Sequence, residues 1–182
     1  MLYLNCNKDE RDYFQKLVYD ICKRTRLMDT RDYSHHFGTS VLRHSVNVAY
    51  VSYALGLRLH LNFNKKELIT GALLHDYYLY DCHDSSCPDK KRHLFRHPEK
   101  ALRNVREEMV ISDRVADIIK KHMFPITLSP PRYKESFLVC IADKICAGYE
   151  SVTNISGKMI RFSQREIVLP KLWVLRLAHQ FM

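Results

Sequence analysis

Two residues with metal-binding chemistry, His75 and Asp76, stand at the end of an apolar run, Gly71-Ala72-Leu73-Leu74. Leu68, Ala72 and His75 follow the i, i+4, i+7 spacing of one helix face, which predicts that His75 points into the core. An inward imidazole beside a carboxylate is costly to bury without partners. A divalent metal would satisfy both groups, as a nitrogen ligand and an oxygen ligand. From the dipeptide alone, a hydrogen-bonded structural pair remains the alternative.

Four more polar residues lie in apolar surroundings elsewhere in the chain. His44 and His122 each occupy a place in an apolar stripe of helical spacing, and Asp143 lies in an apolar run where a carboxylate needs a partner. His97 precedes Pro98, which suits the first position of a helix, so His97 is expected at a helix N-terminus. A lone inward histidine is more often a satisfied core residue. Together, however, these residues predict a metal site formed by His44, His75, Asp76, His97, His122 and Asp143.

Helices must position these residues, because apolar side chains recur at helical spacing along most of the chain. We predict helices over about residues 8–26, 39–59 and 64–76, then from His97, from Ser112 to His122, and over about 133–150. Asn64 and Ser112 are the predicted N-caps. The last of these helices carries Phe137, Ile141, Ile145 and Gly148 on one side. The connection over 77–97 is long enough to be functional or mobile.

The 182 residues fit one domain, with 155–182 as a C-terminal packing segment. No apolar run approaches the roughly 20 residues that span a bilayer, and no secretory signal is evident, so we expect a cytoplasmic protein. The six cysteines are then expected to be free thiols. Cys82 and Cys87 bracket a loop that also holds His83 and could bind zinc, but two further ligands at close spacing are missing.

The formal net charge of +9 suits an anionic ligand, either a phosphorylated small molecule or a nucleic acid. The densest basic run, Lys90-Lys91-Arg92, is not interleaved with aromatic residues, as a base-stacking surface would be. The sequence therefore favours a small anionic substrate over a nucleic acid, and it does not indicate an oligomeric state.

The order of a histidine, a His-Asp pair and a distant aspartate resembles the signature of the HD-domain superfamily of metal-dependent phosphohydrolases. Three segments carry the resemblance: Arg43-His44-Ser45, Gly71-Ala72-Leu73-Leu74-His75-Asp76 and Ala142-Asp143-Lys144. It covers about residues 40–150 and implies an all-α fold, a single helical bundle with the metal site in its core. The segments Tyr77-Tyr78-Leu79-Tyr80-Asp81, His97-Pro98 and His122-Met123-Phe124-Pro125 are similar to a less characterised bacterial subgroup.

The resemblance implies that His44, His75, Asp76 and Asp143 hold one divalent metal. Family members with two metals add histidines between the His-Asp pair and the last aspartate. His97 and His122 stand at such positions, and Asp76 would then bridge the two ions. We favour two metals; the alternative is one metal, with His97 as a helix cap and His122 as a core residue. Nitrogen and oxygen donors without thiolate suit Fe, Mn, Mg or Co, and the many histidines favour Fe or Mn.

The implied reaction is hydrolysis of a phosphomonoester or phosphodiester of a nucleotide or similar small molecule by a metal-activated water. Asp76 would orient the water and Lys144 would act beside it as a second catalytic residue. The expected phosphate-binding cations are Arg43, Lys91, Arg92 and Lys144, although each of them could equally be a solvated or structural charge. Tyr77, Tyr78 and Tyr80 could stack on a nucleobase or pack the loop.

The chain departs from two known subgroups of the family. It lacks the Gly-Tyr-Pro segment and following lysine of cyclic dinucleotide phosphodiesterases, since Leu79 and Tyr80 stand there. It also lacks the Glu-Asp pair of stringent-response nucleotide hydrolases, the nearest acid being Asp81. Two other functions remain open: a non-catalytic, nucleotide-binding HD signalling scaffold, and an HD-type di-iron oxygenase.

Overall fold

The structure, a computed structural model, describes residues 6–33, 39–80 and 93–155. Within these residues the chain forms six α-helices and one short 3₁₀ helix, and no strand. The α-helices are α1 (Lys8–Arg24), α2 (Val41–Arg58), α3 (Lys65–Leu74), α4 (His93–Glu108), α5 (Asp113–Lys121) and α6 (Lys134–Ile155), and the 3₁₀ helix Arg26–Arg31 follows α1. The all-α prediction is confirmed.

Local sequence explains where most of these helices begin. Asn7 and Glu10 form a reciprocal capping box at the start of α1. The side chains of Ser40, Asn64 and Ser112 each accept a hydrogen bond from a first-turn backbone N–H of α2, α3 and α5, respectively. These caps satisfy backbone donors that a helix cannot pair internally. The predicted caps Asn64 and Ser112 are thus confirmed.

The core is built around α2 and α3. Helix α2 packs against α3 and α6, while α5 packs against α3, α4 and α6, and α1 closes the side of α3. Helix α3 is buried along most of its length, from Leu68 to Leu74. Gly71 permits α5 to approach, because a Cβ there would lie 2.7–2.8 Å from atoms of Ile118. The ends of α3 and α5 therefore meet inside the bundle.

Helix α4 corrects one prediction. It begins at His93, so His97 lies in its second turn and is not at its N-terminus, and Pro98 is inside the helix. Proline is favoured at the first helical position because it has no N–H to donate, and this preference was the only start signal in that stretch. The helix continues one turn further toward the N-terminus than that signal indicated, and the loop prediction over 81–92 lies outside the described residues.

Helix α6 buries the side opposite to its most regular apolar row. Phe137, Ile141 and Ile145 are 44–49% exposed, whereas Leu138 and Ala142 are buried. The buried side also carries Asp143 and Glu150. Hydrophobic spacing therefore identified the helix, while the side that faces the core is the one with the acidic residues.

Four cysteines of the described chain, Cys6, Cys22, Cys140 and Cys146, are free and buried, as predicted. The possible zinc ligands lie outside the described residues, namely Cys82, His83 and Cys87. The C-terminal segment 156–182 lies outside them as well. None of the described helices has the length and apolarity that a bilayer crossing requires.

Candidate metal centre

The structure brings all six predicted ligand side chains together in the core of the bundle. Five helices supply these side chains: His44 comes from α2, His75 and Asp76 follow α3, His97 comes from α4, His122 is the C-cap of α5, and Asp143 comes from α6. All six are buried, the most exposed being Asp143 at 9%. So many buried polar groups at one point require partners, because isolated buried charges are very costly.

One half of the cluster, the first group, consists of His44, His75 and Asp143. Asp143 Oδ1 lies 3.1 Å from His44 Nε2 and 3.8 Å from His75 Nε2. One potential ligand atom from each residue falls within 4.8 Å of the others, a spacing that can surround a single cation. Two imidazole nitrogens and one carboxylate oxygen form a donor set typical of non-haem Fe, and nitrogen and oxygen donors also suit Mn.

The other half, the second group, consists of Asp76, His97 and His122. Asp76 Oδ1 lies 3.2 Å from His97 Nε2 and 3.5 Å from His122 Nε2. The two histidine Nε2 atoms are 2.8 Å apart. The other oxygen of the same carboxylate, Asp76 Oδ2, lies 3.3 Å from His75 Nε2. The two oxygens of Asp76 therefore face different halves of the cluster.

Backbone carbonyls orient two of the histidine rings. His75 Nδ1 lies 2.7 Å from the carbonyl oxygen of Ala72, and His122 Nδ1 lies 2.8 Å from that of Ile119. A carbonyl oxygen only accepts, so each Nδ1 carries the proton and donates it. In the neutral ring Nε2 then presents a lone pair to the cluster, which is the form that binds a metal.

The donor set passes a test of fit for a cation. His75 Nε2 is fully buried and has no hydrogen-bond partner in the described part of the chain, although two carboxylates lie within 4 Å. A cation between that nitrogen and the oxygens of Asp76 and Asp143 would satisfy all three at once. The residues present therefore fit a divalent metal.

The protonation equilibria show how negative this cavity is. Burial alone would lower the pKa of His44, but its hydrogen bonds with Asp143 and Glu150 outweigh burial and raise the pKa to about 10. Burial likewise opposes the charged form of Asp143, yet the neighbouring histidines hold its pKa well below the usual value. The first group thus favours a positive charge, and a metal ion can supply that charge in place of a proton.

In the second group, the surroundings of His122 oppose its protonation. Burial, together with the positive charge of nearby His75, lowers the pKa of His122 to about 3. A histidine with this pKa is neutral at physiological pH, so its Nε2 is available as a ligand without losing a proton.

Sequence reasoning missed one residue of this cluster, Glu150. Its Oε2 lies 3.0 Å from Nδ1 of His44, and the side chain is buried. Asp143 and Glu150 are seven residues apart, so they lie on the same face of α6. That spacing could have indicated that Glu150 faces the core together with Asp143. An acidic residue near a helix end is, however, usually a solvated surface charge.

The predicted phosphate-binding cations have different surroundings. Lys144 Nζ donates to the carbonyl oxygen of His122 at 2.7 Å and lies 3.3 Å from Asp143 Oδ2, with 37% of its side chain exposed. Arg43 is exposed on the first turn of α2, next to His44 in sequence. Lys91 and Arg92 lie outside the described residues. Lys144 is therefore the predicted cation that the structure joins to the cluster.

The tyrosines after Asp76 divide between packing and the site. Tyr77 is fully buried and its hydroxyl donates to Glu108 at 2.7 Å, so it packs the core. The Tyr78 ring meets the ring of His97 edge-on, with 6.0 Å between the centroids. Tyr80 is partly exposed, and Lys100 Nζ lies 3.9 Å from its ring centroid.

A comparison with family models gives one match, to the model described as HD domain, over residues 41–148. The matched range covers more than half of the chain and contains all six clustered residues. Glu150 lies just beyond it. No curated protein and no solved structure matches this chain significantly.

Proposed function

Because this chain belongs to the HD domain family, a superfamily of metal-dependent phosphohydrolases, we propose that it hydrolyses a phosphomonoester or phosphodiester. The proposed substrate is a nucleotide or a similar small phosphorylated molecule. The net charge of +9 supports an anionic substrate, since positive potential attracts anions to the protein.

The observation that carries the proposal is the position of the Asp76 carboxylate between two groups of nitrogen ligands. Its Oδ2 faces His75, while its Oδ1 faces His97 and His122. We propose one cation held by His44, His75, Asp76 and Asp143, and a second held by Asp76, His97 and His122. Fe or Mn is favoured by the histidine-rich set, and Mg or Co would be the alternatives.

A divalent cation bound here would lower the pKa of a water molecule and offset negative charge on phosphoryl oxygens. The chain's own residues supply the rest of the mechanism. Asp76 holds its carboxylate at the boundary of the two groups and accepts a hydrogen bond from the attacking water. The burial of the six ligands keeps the local dielectric low, which strengthens each electrostatic contact with the substrate.

Lys144 is the proposed phosphate ligand and acts beside Asp76. Its ammonium is tethered to the carbonyl oxygen of His122 at 2.7 Å, so its charge is held at the edge of the cluster. An ammonium has three donors, and two of them face His122 and Asp143, so the partly exposed Lys144 has one left for an incoming phosphate. Arg43, Lys91 and Arg92 are proposed to assist at the entrance.

The test is a phosphoester screen on metal-depleted protein reloaded with Mn, Fe, Mg or Co. We expect metal-dependent release of phosphate from a phosphomonoester, or of a phosphomonoester from a phosphodiester. Asp76→Asn should lower turnover at least about 100-fold. This loss is larger than is typical for a residue that only hydrogen-bonds to a metal ligand. The matched control is Asp117→Asn, because Asp117 is a buried aspartate that accepts from Arg132 N and Ser136 Oγ and lies outside the cluster.

Other results would favour the remaining functions. Nucleotide binding without turnover, in protein with its full metal content, would support a signalling scaffold. Consumption of oxygen by the iron-loaded protein, without release of phosphate, would support an oxygenase. Metal-independent hydrolysis, or full activity of Asp76→Asn, would contradict the proposal.

A further inference from the structure

His44 differs from His75 and His122 in what holds the ring nitrogen that faces away from the cluster. His44 Nδ1 lies 3.0 Å from a carboxylate oxygen of Glu150, in a contact between α2 and α6. The His122 Nδ1 donates to the backbone carbonyl of Ile119, and His75 Nδ1 donates to that of Ala72. His44 therefore has a charged acceptor behind it, and the other two have neutral acceptors.

This difference has a known physical effect on a metal ligand. A hydrogen bond to an ionised acceptor is roughly twice as strong as one between neutral groups. A carboxylate behind a ligating imidazole fixes the tautomer that leaves Nε2 free and increases the basicity of Nε2. Burial of both partners, 0% exposed for His44 and 6% for Glu150, keeps water from weakening the contact.

Helix α6 delivers this carboxylate together with a direct ligand. Asp143 and Glu150 lie two turns apart on one face of α6, and His44 lies between them, with Nε2 toward Asp143 and Nδ1 toward Glu150. One helix thus supplies the carboxylates that contact both ring nitrogens of His44. The first group also gains the negative charge of Glu150, which attracts a cation without coordinating it.

We propose that Glu150 is a positioning residue that makes the two halves of the centre unequal. Through His44 it makes the first group, which also contains His75 and Asp143, the tighter site that fills first, and the second group the weaker site that exchanges its ion. The proposal rests on the proposed metal-dependent function. It assigns a role to a residue beyond the matched family range and sets an order of metal loading.

The test is a titration of metal-depleted protein with Mn²⁺, followed by calorimetry or by electron paramagnetic resonance of free Mn²⁺. The wild-type chain should bind in two steps of different affinity. Glu150→Ala should weaken the tighter step about 10- to 100-fold and leave the weaker step in place. Glu150→Gln keeps a neutral acceptor for Nδ1–H and should restore part of the loss.

The matched control is Glu135→Gln. Glu135 is also a buried glutamate on α6, but it accepts from the backbone N–H of Asn64 at 2.8 Å. This variant should leave both steps unchanged. The weaker step in each Glu150 variant serves as an internal check of folding, because a misfolded bundle would lose both steps.

Two results would overturn the inference, and they are distinguishable. Unchanged affinities in Glu150→Ala and Glu150→Gln, or equal weakening of both steps, would remove the role of Glu150 and leave the metal-dependent function intact. Failure of the wild-type chain to bind Mn²⁺, Fe²⁺ or Co²⁺ at all would overturn both this inference and the proposed function.

Discussion

Asp76 connects the two halves of the candidate centre through its two carboxylate oxygens. Asp76 lies one residue beyond His75, which is the C-cap of α3 and still has helical backbone angles. Neighbours with helical geometry point about 100° apart, so the two adjacent side chains approach the cluster from different directions.

Lys144 provides a test of substrate binding. Lys144→Gln keeps a donor for the carbonyl of His122 but removes the positive charge beside Asp143. We expect KM for the phosphoester to rise about tenfold, as loss of one charge-assisted hydrogen bond implies, with metal content unchanged. The control is Lys134→Gln, because Lys134 is an exposed lysine at the start of α6. An unchanged KM in steady-state kinetics would make Lys144 a structural residue.

Glu108 provides a pH-dependent prediction away from the metal ligands. Burial would raise its pKa, but hydrogen bonds from Tyr77 and Arg26 lower it below the usual 4.5. A carboxyl with a depressed folded-state pKa stabilises the fold above its unfolded value, and the contribution is lost as the pH falls. Glu108→Gln should cost about 1–2 kcal/mol in unfolding free energy at pH 7.

That cost should shrink as the pH falls below about 4.5, because the unfolded chain then binds the proton first and the folded carboxyl is neutralised only at lower pH. Denaturant titrations at several pH values measure it directly. The neighbouring exposed Glu107→Gln should show no such difference from wild type. A Glu108→Gln cost that stays constant from pH 7 to pH 3 would contradict the assignment.

Among the elements, the contact of α3 with α5 sets the distance between the two halves of the centre. A Cβ on Gly71 would lie 2.8 Å from Ile118 Cβ and Cγ2, atoms close to the α5 backbone that cannot swing away. His75 and His122 stand at the C-terminal ends of these two helices, with their rings 4.8 Å apart. Any separation of the helices is therefore transmitted to the ligands.

Gly71→Ala should destabilise the protein by about 1–3 kcal/mol through overpacking and should weaken metal binding as well. The control is Gly56→Ala, where the nearest atoms, at 2.6–2.8 Å, belong to the ring end of Phe63. That ring can move, so we expect a smaller loss of stability and unchanged metal affinity. Thermal unfolding and Mn²⁺ titration of both variants measure the two effects. Equal metal affinities in the two variants would count against the spacing role of Gly71.

The sequence predicted most of the helices, but it gave the wrong start for α4 and did not indicate the contact of Glu150 with His44. Apolar spacing located α1, α2, α3 and α5, and caps such as Asn64 and Ser112 marked their starts, because both signals are local. The predicted start of α4 was wrong, since Pro98 carried the only local signal there and the helix begins one turn earlier, at His93. Glu150 was missed because its partner, His44, lies on another helix more than a hundred residues away.

In the folded molecule, the bundle gathers candidate ligands that are spread from position 44 to position 143. Spacing on separate helices predicted which side chains point inward, but only the packing of α2, α3, α4, α5 and α6 decides whether they meet. They meet in a core that brings carboxylates and histidine nitrogens together, inside a chain of net charge +9. The interior is thus suited to a cation and the exterior to an anion. A single domain over 1–182 stays a prediction.

The most direct measurement of the central claim is the metal content per chain, by elemental analysis of protein purified without chelators. We predict two equivalents of a divalent metal, Fe or Mn, in the wild-type protein, and loss of both in Asp76→Ala because that carboxylate faces both groups. Asp117→Asn should keep the full content. A wild-type chain that holds no metal, even after reconstitution with Fe, Mn, Mg or Co, would contradict the account.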